Sequence, residues 1–208
     1  MKIEKIAYVD LVSELVATIL SSKFNIEKCR YDRGPNTIIL GFNMKHYYAE
    51  TLSNLPIVVF DQHTDMLEGN LLNASWLYRR AKWCEVHLVM PSYPEYPNNL
   101  ILPTENKDKF HIYTVKECKT VVGKLDSGET YQLEALKIKE LESLRDLKKE
   151  ISFDFDFLRD IKIEDAVDMI ESIGNEEDLY DFWLDSSQDF DICVNQCSII
   201  LEKLINTN

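Results

Sequence analysis

The chain has 208 residues, 36 of them acidic and 23 basic, for a net charge of −13. That balance argues against sequence-independent nucleic-acid binding, because phosphate contacts need Lys and Arg. Only six glycines and six prolines, with 45% hydrophobic residues, exclude collagen-like, low-complexity and broadly disordered chains; the length suits one domain spanning residues 1–208 with a core of its own.

Residues 3–9 predict a first strand. Leu11, Leu15 and Ile19, with Val12, Val16 and Leu20, recur every four residues and predict a helix. Residues 37–42 form a short apolar strand and residues 44–52 are helix-compatible. Ile57-Val58-Val59-Phe60 is a continuous apolar run of the kind found in strands buried on both faces. A helix over 73–83 and a strand over 86–90 follow. Pro91 to Pro97 is a loop of prolines and tyrosines, read either as a lid or as a rigid surface loop. Residues 110–115 and 120–125 are expected to pair as a hairpin, and the charged stretch 133–149 to form a surface helix. A strand over 151–157, a helix around Ala166 to Ile173, a strand over 179–184 and a helix over 192–205 complete the chain. This alternation predicts a three-layer α/β/α fold on a mainly parallel sheet.

No stretch approaches the roughly 18 apolar residues of a membrane span, and the charged start carries no leader-like pattern. Five scattered cysteines, Cys29, Cys84, Cys118, Cys193 and Cys197, point to reduced thiols and a cytoplasmic setting. Cys193 and Cys197, four apart on a helix, are expected in the core. His87 and His111, each within a strand, are expected to be structural. No phosphate-binding glycine loop and no Gly-x-Ser-x-Gly elbow occur.

The chemistry-bearing segments are Asp61-Gln62-His63-Thr64-Asp65 and Asp154-Phe155-Asp156, each ending an apolar strand. Side chains two apart on a strand share a face, so each segment aims its polar groups one way. Loops after the carboxyl ends of parallel strands are where open α/β sheets place their sites. Like-charged carboxylates held side by side at a buried strand end need a cation, and two carboxylates with an imidazole suit Mn²⁺ or Zn²⁺.

Phe60-Asp61-Gln62-His63-Thr64-Asp65 resembles the Asp-Ala-His-x-Asp strand end of the arginase–deacetylase (ureohydrolase-like) superfamily, and Ser152-Phe153-Asp154-Phe155-Asp156 resembles its Ser-x-Asp-x-Asp. Gly41 to His46 stands in the place of that family's Gly-Gly-Asp-His, and Glu68-Gly69-Asn70-Leu71-Leu72-Asn73 in the place of its Gly-Asn-Leu-His-Gly. The resemblance implies an arginase-like fold, in a short branch similar to enzymes acting on arginine within peptides. It also implies a centre for two Mn²⁺ ions, with Zn²⁺ as the alternative, held by His46, Asp61, His63, Asp65, Asp154 and Asp156. His46 reads equally as a half-buried helix histidine. The family's Asp-Pro is replaced by Arg159-Asp160, and Asn73 stands where the family has a substrate-side histidine. Glu176 and Glu177 are the late acids that a guanidinium contact would draw on, or helix-capping surface groups.

The function expected from these segments is metal-dependent hydrolysis of a carbon–nitrogen bond in a small cationic or peptide-borne guanidino or amide substrate. Asp65 or His63 would pass the proton to the leaving amine. The alternatives are a metal-dependent deacetylase, a two-metal phosphoesterase, and an inactive binding module that keeps the fold.

Overall fold

The structure is a computed structural model that describes residues 3–34, 36–42, 53–64, 66, 75–92, 100–116, 120–185 and 187–206. The strands are β1 (Lys5–Tyr8), β2 (Glu27–Arg30), β3 (Thr37–Phe42), β4 (Ile57–Phe60), β5 (Val86–Met90), β6 (Ile101–Leu102), β7 (Phe110–Thr114), β8 (Thr120–Leu125), β9 (Thr130–Glu134), β10 (Leu136–Lys137), β11 (Glu150–Asp154) and β12 (Leu179–Leu184). The helices are α1 (Leu11–Phe24), α2 (Trp76–Ala81), α3 (Ile163–Ile173) and α4 (Phe190–Asn206). Nine strands form one sheet in the order β10-β7-β5-β4-β11-β12-β3-β1-β2, and every pairing in it is parallel. The two apolar runs of the sequence, β4 and β11, lie side by side in the sheet interior, in the register Ile57↔Glu150 to Phe60↔Phe153.

Alternate side chains of the strands feed two cores. Val58, Phe60, Val89, Ile151, Phe153 and Phe182 pack on one face against Val16 and Leu20 of α1, Val167 and Ile170 of α3, and Cys197 and Ile200 of α4. Ile57, Val59, Val86 and Leu88 pack on the other against Trp76 and Leu77 of α2 and against Leu102, Val121 and Leu125. These last belong to a separate three-stranded sheet, β6-β8-β9, which shares this layer with α2. The α/β architecture therefore has its sheet covered on both faces, as parallel strands require. Cys193 and Cys197 are buried in α4, and burial pushes both thiols above their ordinary range.

Asp10 opens α1. Its Oδ1 accepts from the amides of Val12 and Ser13, while Ser13 Oγ accepts from the Asp10 amide. Asn25 closes the helix with φ at 54°, the left-handed cap that Asn tolerates. The helix buries Ser13, Val16, Ala17 and Leu20, and leaves the row Leu11, Leu15 and Ile19 exposed to solvent among the described residues.

Three expectations are corrected, and one strand was not anticipated. Residues 110–115 and 120–125 do not pair: β7 lies between β5 and β10 in the main sheet, and the hairpin is β8–β9. Its turn carries Gly128 at φ 90°, where a side chain would be strained. No long helix spans 133–149. Thr130–Glu134 and Leu136–Lys137 are strands, and Ile138–Leu144 is a 3-10 helix that buries Leu141 and Leu144. A spacing of three suits the tighter helix, and tertiary pairing overrides the helix propensity of the charged residues. The strand over 151–157 stops at Asp154, whose carboxylate caps the 3-10 helix Phe155–Arg159. Finally β2, with the charged sequence Glu-Lys-Cys-Arg, has no apolar signature because it is an edge strand. The helix-compatible stretch 44–52 and the Tyr93–Pro97 part of the loop lie outside the described residues. Among the described residues no helix is long and apolar enough to cross a membrane.

Candidate metal centre

β4 ends at Phe60, and Asp61 is the first residue past it, buried to 1% exposure. Its backbone amide still donates to Val89 O of β5, so the strand's hydrogen bonding holds the residue in place. Its Oδ1 accepts from the His63 amide at 2.7 Å, a tight Asp turn that swings the chain out of the sheet. Across the gap, β11 ends at Asp154, whose Oδ1 accepts from the Asp156 amide at 3.0 Å. This starts the 3-10 turn that brings Asp156, itself buried, back over the end of β4. The two segments join directly: the Gln62 amide donates to Asp156 Oδ1 at 3.2 Å, and His63 Nδ1 stands 2.8 Å from Asp156 Oδ2 and 3.6 Å from Asp61 Oδ1.

One ligand atom each from Asp61, His63 and Asp156 lies within 4.8 Å of the others. Two buried carboxylates in so small a volume demand a positive charge. His63 supplies one: Asp156 first and Asp61 second hold its imidazole protonated, pushing its pKa up to about 11, although the ring is 63% exposed and water screens part of that attraction. The donor set fits a divalent cation by charge and by chemistry, since carboxylate and imidazole suit manganese and zinc.

The strand-end segments therefore converge, with one change of role. Asp156 reaches the cluster from a 3-10 turn and not from the face of a strand, and Asp154 shapes that turn without joining the three-atom group. Asp65 and His46 lie outside the described residues. Glu176 and Glu177 are exposed in the turn that enters β12, at the opposite end of the sheet from the cluster, so neither stands over it. Gly41 has a packing role: a Cβ there would come within 2.8 Å of Val9 Cγ2 and closer still to the Trp183 ring.

Asp185 was not singled out by sequence, and Arg159 was noted only as standing in place of the Asp-Pro of the resembled family. Asp185 follows β12 as Asp61 follows β4, the same strand-then-aspartate signal. It is buried, accepts from Arg159 Nη2 at 2.7 Å, and is held below the usual carboxylate range by the Ser187 amide and Arg159, against the opposing effect of burial. Arg159 also contacts Ser187 and lies close enough to Asp154 and Asp156 to feel their charge.

The connections explain why the cluster sits where it does. After β4 the chain passes to α2 on one face of the sheet, and after β11 it passes to α3 on the other. Diverging connections leave a crevice at the carboxyl ends of adjacent strands, the position where doubly wound sheets hold ligands. Comparison with protein-family models, with curated proteins and with solved structures finds no match to this chain.

Proposed function

We propose that this chain is a metal-dependent hydrolase of carbon–nitrogen bonds, similar in its site to the arginase–deacetylase superfamily. The observation that supports it is the convergence of Asp61, His63 and Asp156, from two adjacent interior strands, on one point at the switch in sheet topology. Asp61, His63 and Asp156 would hold one divalent cation, manganese or zinc. A second would draw on Asp154 with Asp65 and His46. A cation in that position supplies Lewis acidity and a water acidified toward a pKa of about 7.

The protein's own groups set the rest. Asp61 and Asp156 are fixed by backbone amides, so their carboxylates need little reorganisation to serve as ligands. His63, the exposed member, holds a proton at Nδ1 between the two carboxylates, the positive charge that a cation bound at that nitrogen would replace. Asp160, which accepts from Gln62 Nε2 at 3.0 Å, stands at the rim with Lys116 Nζ 3.9 Å away. The net charge of −13 favours a cationic guanidino or amino substrate over a phosphate ester. Arg159, the guanidinium beside the cluster, is engaged by Asp185.

Metal uptake by purified protein tests the reading. Asp61→Asn and Asp156→Asn keep a side-chain oxygen for the backbone amides that hold each turn. Each is expected to lower manganese or zinc affinity at least about tenfold with the circular dichroism spectrum unchanged. Release of urea, ammonia or acetate from a panel of guanidino and acyl-amine compounds then identifies the bond cleaved. Wild-type protein that takes up neither metal through these residues overturns the hydrolase and leaves a binding module in its place.

A further inference from the structure

The opposite end of the sheet carries a second constellation. Glu85 directly precedes β5, His87 is the second residue of β5, and His111 the second of β7. The parallel register pairs His87 with His111, so their rings stand side by side on one face, with centroids 4.8 Å apart and planes within 14°. Glu85 Oε1 lies 3.2 Å from His87 Nε2 and 3.2 Å from His111 Nε2. A tetrahedral zinc with bonds of about 2.0–2.1 Å sets its ligand atoms about 3.4 Å apart, so two of the three edges already have that length.

His87 is 3% exposed, and its Nε2 makes no hydrogen bond. The Glu85 oxygen is at ion-pair distance but out of line with the ring nitrogen. A buried ring nitrogen without a hydrogen bond is costly unless something else satisfies it. The Tyr113 hydroxyl, 3.2 Å from His87 Nδ1, can accept the proton of that nitrogen and leave the lone pair on Nε2. This is the outer hydrogen bond that orients a metal-binding histidine. Burial, His111 and Lys149 together push the His87 pKa down to about 3. Lys149 is itself engaged by Asp178 at 2.8 Å. Glu85 and His111 are 37% and 31% exposed, which gives a cation a path from solvent and leaves room for water as a fourth ligand.

We propose that Glu85, His87 and His111 form a zinc-class cation site, separate from the Asp61 cluster. The two sites lie at opposite ends of the strands: Val58, the β4 partner of His87, is three residues before Asp61, roughly 10 Å along the strand. Two imidazoles and a carboxylate favour zinc, nickel or copper over magnesium or calcium. Ligation requires the stacked rings to rotate out of parallel, because their in-plane lone pairs otherwise run side by side.

Equilibrium dialysis against zinc chloride, with elemental analysis, is made on an Asp61→Asn/Asp156→Asn protein so that the first site does not contribute. That protein is expected to retain one zinc per chain, and adding His111→Gln or Glu85→Gln, both at partly exposed positions, to weaken zinc binding at least tenfold. In the wild type, zinc is expected to shift the ring-nitrogen resonances of both His87 and His111 in long-range proton–nitrogen NMR spectra. Cobalt(II) in place of zinc should give the intense visible bands of a tetrahedral site. Unshifted His87 and His111 resonances, or zinc binding indifferent to His111→Gln, overturn the site, whatever the outcome at Asp61 and Asp156.

Discussion

Asp181 is fully buried in the middle of β12, with its Oδ2 accepting from Trp183 Nε1 at 3.1 Å and its Oδ1 3.8 Å from Arg33 Nη2. Burial, reinforced by Glu150, pushes its pKa up to about 7, and the nearby Arg33 only partly offsets this. The folded protein therefore binds a proton at Asp181 that the unfolded chain releases near its ordinary value of about 3.9. Between these values the native state holds more protons, so stability falls as pH rises, by at most about 1.4 kcal/mol per pH unit from this group. Asp181→Asn keeps an acceptor for Trp183 and removes the charge, so urea unfolding from pH 4.5 to 7.5 is expected to show a shallower decline than the wild type. Parallel curves would sink this account. The sequence gives no hint of this, because Asp181 interrupts an apolar strand as any surface residue might; only the fold reveals that both faces of β12 are covered. Asp61 and Asp156 were legible for the opposite reason: Asp61 stands where a run of apolar residues ends and Asp156 two places after Asp154 on a segment that reads as one strand, and carboxylates so placed are conspicuous without coordinates.

Among the elements, Asp10 does more than begin a helix. Its Oδ1 satisfies the first amides of α1, and its Oδ2 accepts from the Phe42 amide at 3.0 Å, tying the start of α1 to the end of β3. Asp10→Ala removes a cap and leaves the Phe42 amide without that acceptor, so a loss of about 2 kcal/mol in chemical denaturation is expected. Asp10→Asn should recover much of it, and equal losses in the two variants would show that the hydrogen bonds are not the cause. Elements with one dominant cue were legible: β3, β4, β5 and β12 as apolar runs, α3 and α4 as apolar periodicity. Residues 130–149 were not, because their charged, helix-prone composition competes with strand pairing onto β7 and β8, a decision made by partners distant in sequence. The shortening of β11 was hidden as well. Phe153, Phe155 and Phe157 alternate as a strand would, yet the Asp154 cap turns the chain after the first of them.

At the scale of the molecule, parallel pairing puts all the amino ends of the main sheet on one side and all the carboxyl ends on the other, and charged groups gather at both. The amino side holds Glu150 against Arg80 at 2.8 Å and Arg33 at 2.6 Å, and Lys149 against Asp178. The carboxyl side holds Asp10, Asp61, Asp156 and Asp185, each just past a strand. Between them β4, β11 and β12 are buried on both faces and hydrogen-bonded on both edges, whereas β8 alternates buried and exposed residues and β9 is the edge of its small sheet. Strands of the first kind can expose their amides only when both cores open; those of the second need only the β8–β9 hairpin to lift from the layer it shares with α2. Native-state hydrogen exchange should divide accordingly, with amides of Val58 to Phe60, Ile151 to Phe153 and Tyr180 to Trp183 exchanging through global unfolding, and those of the β8–β9 ladder at least tenfold faster through local opening. Low concentrations of urea should leave the hairpin rates nearly unchanged and accelerate the central strands steeply, because the first opening exposes little surface and the second exposes most of it. Equal protection and equal urea dependence in both sets would mean that the small sheet and the nine-stranded sheet open together as one cooperative unit.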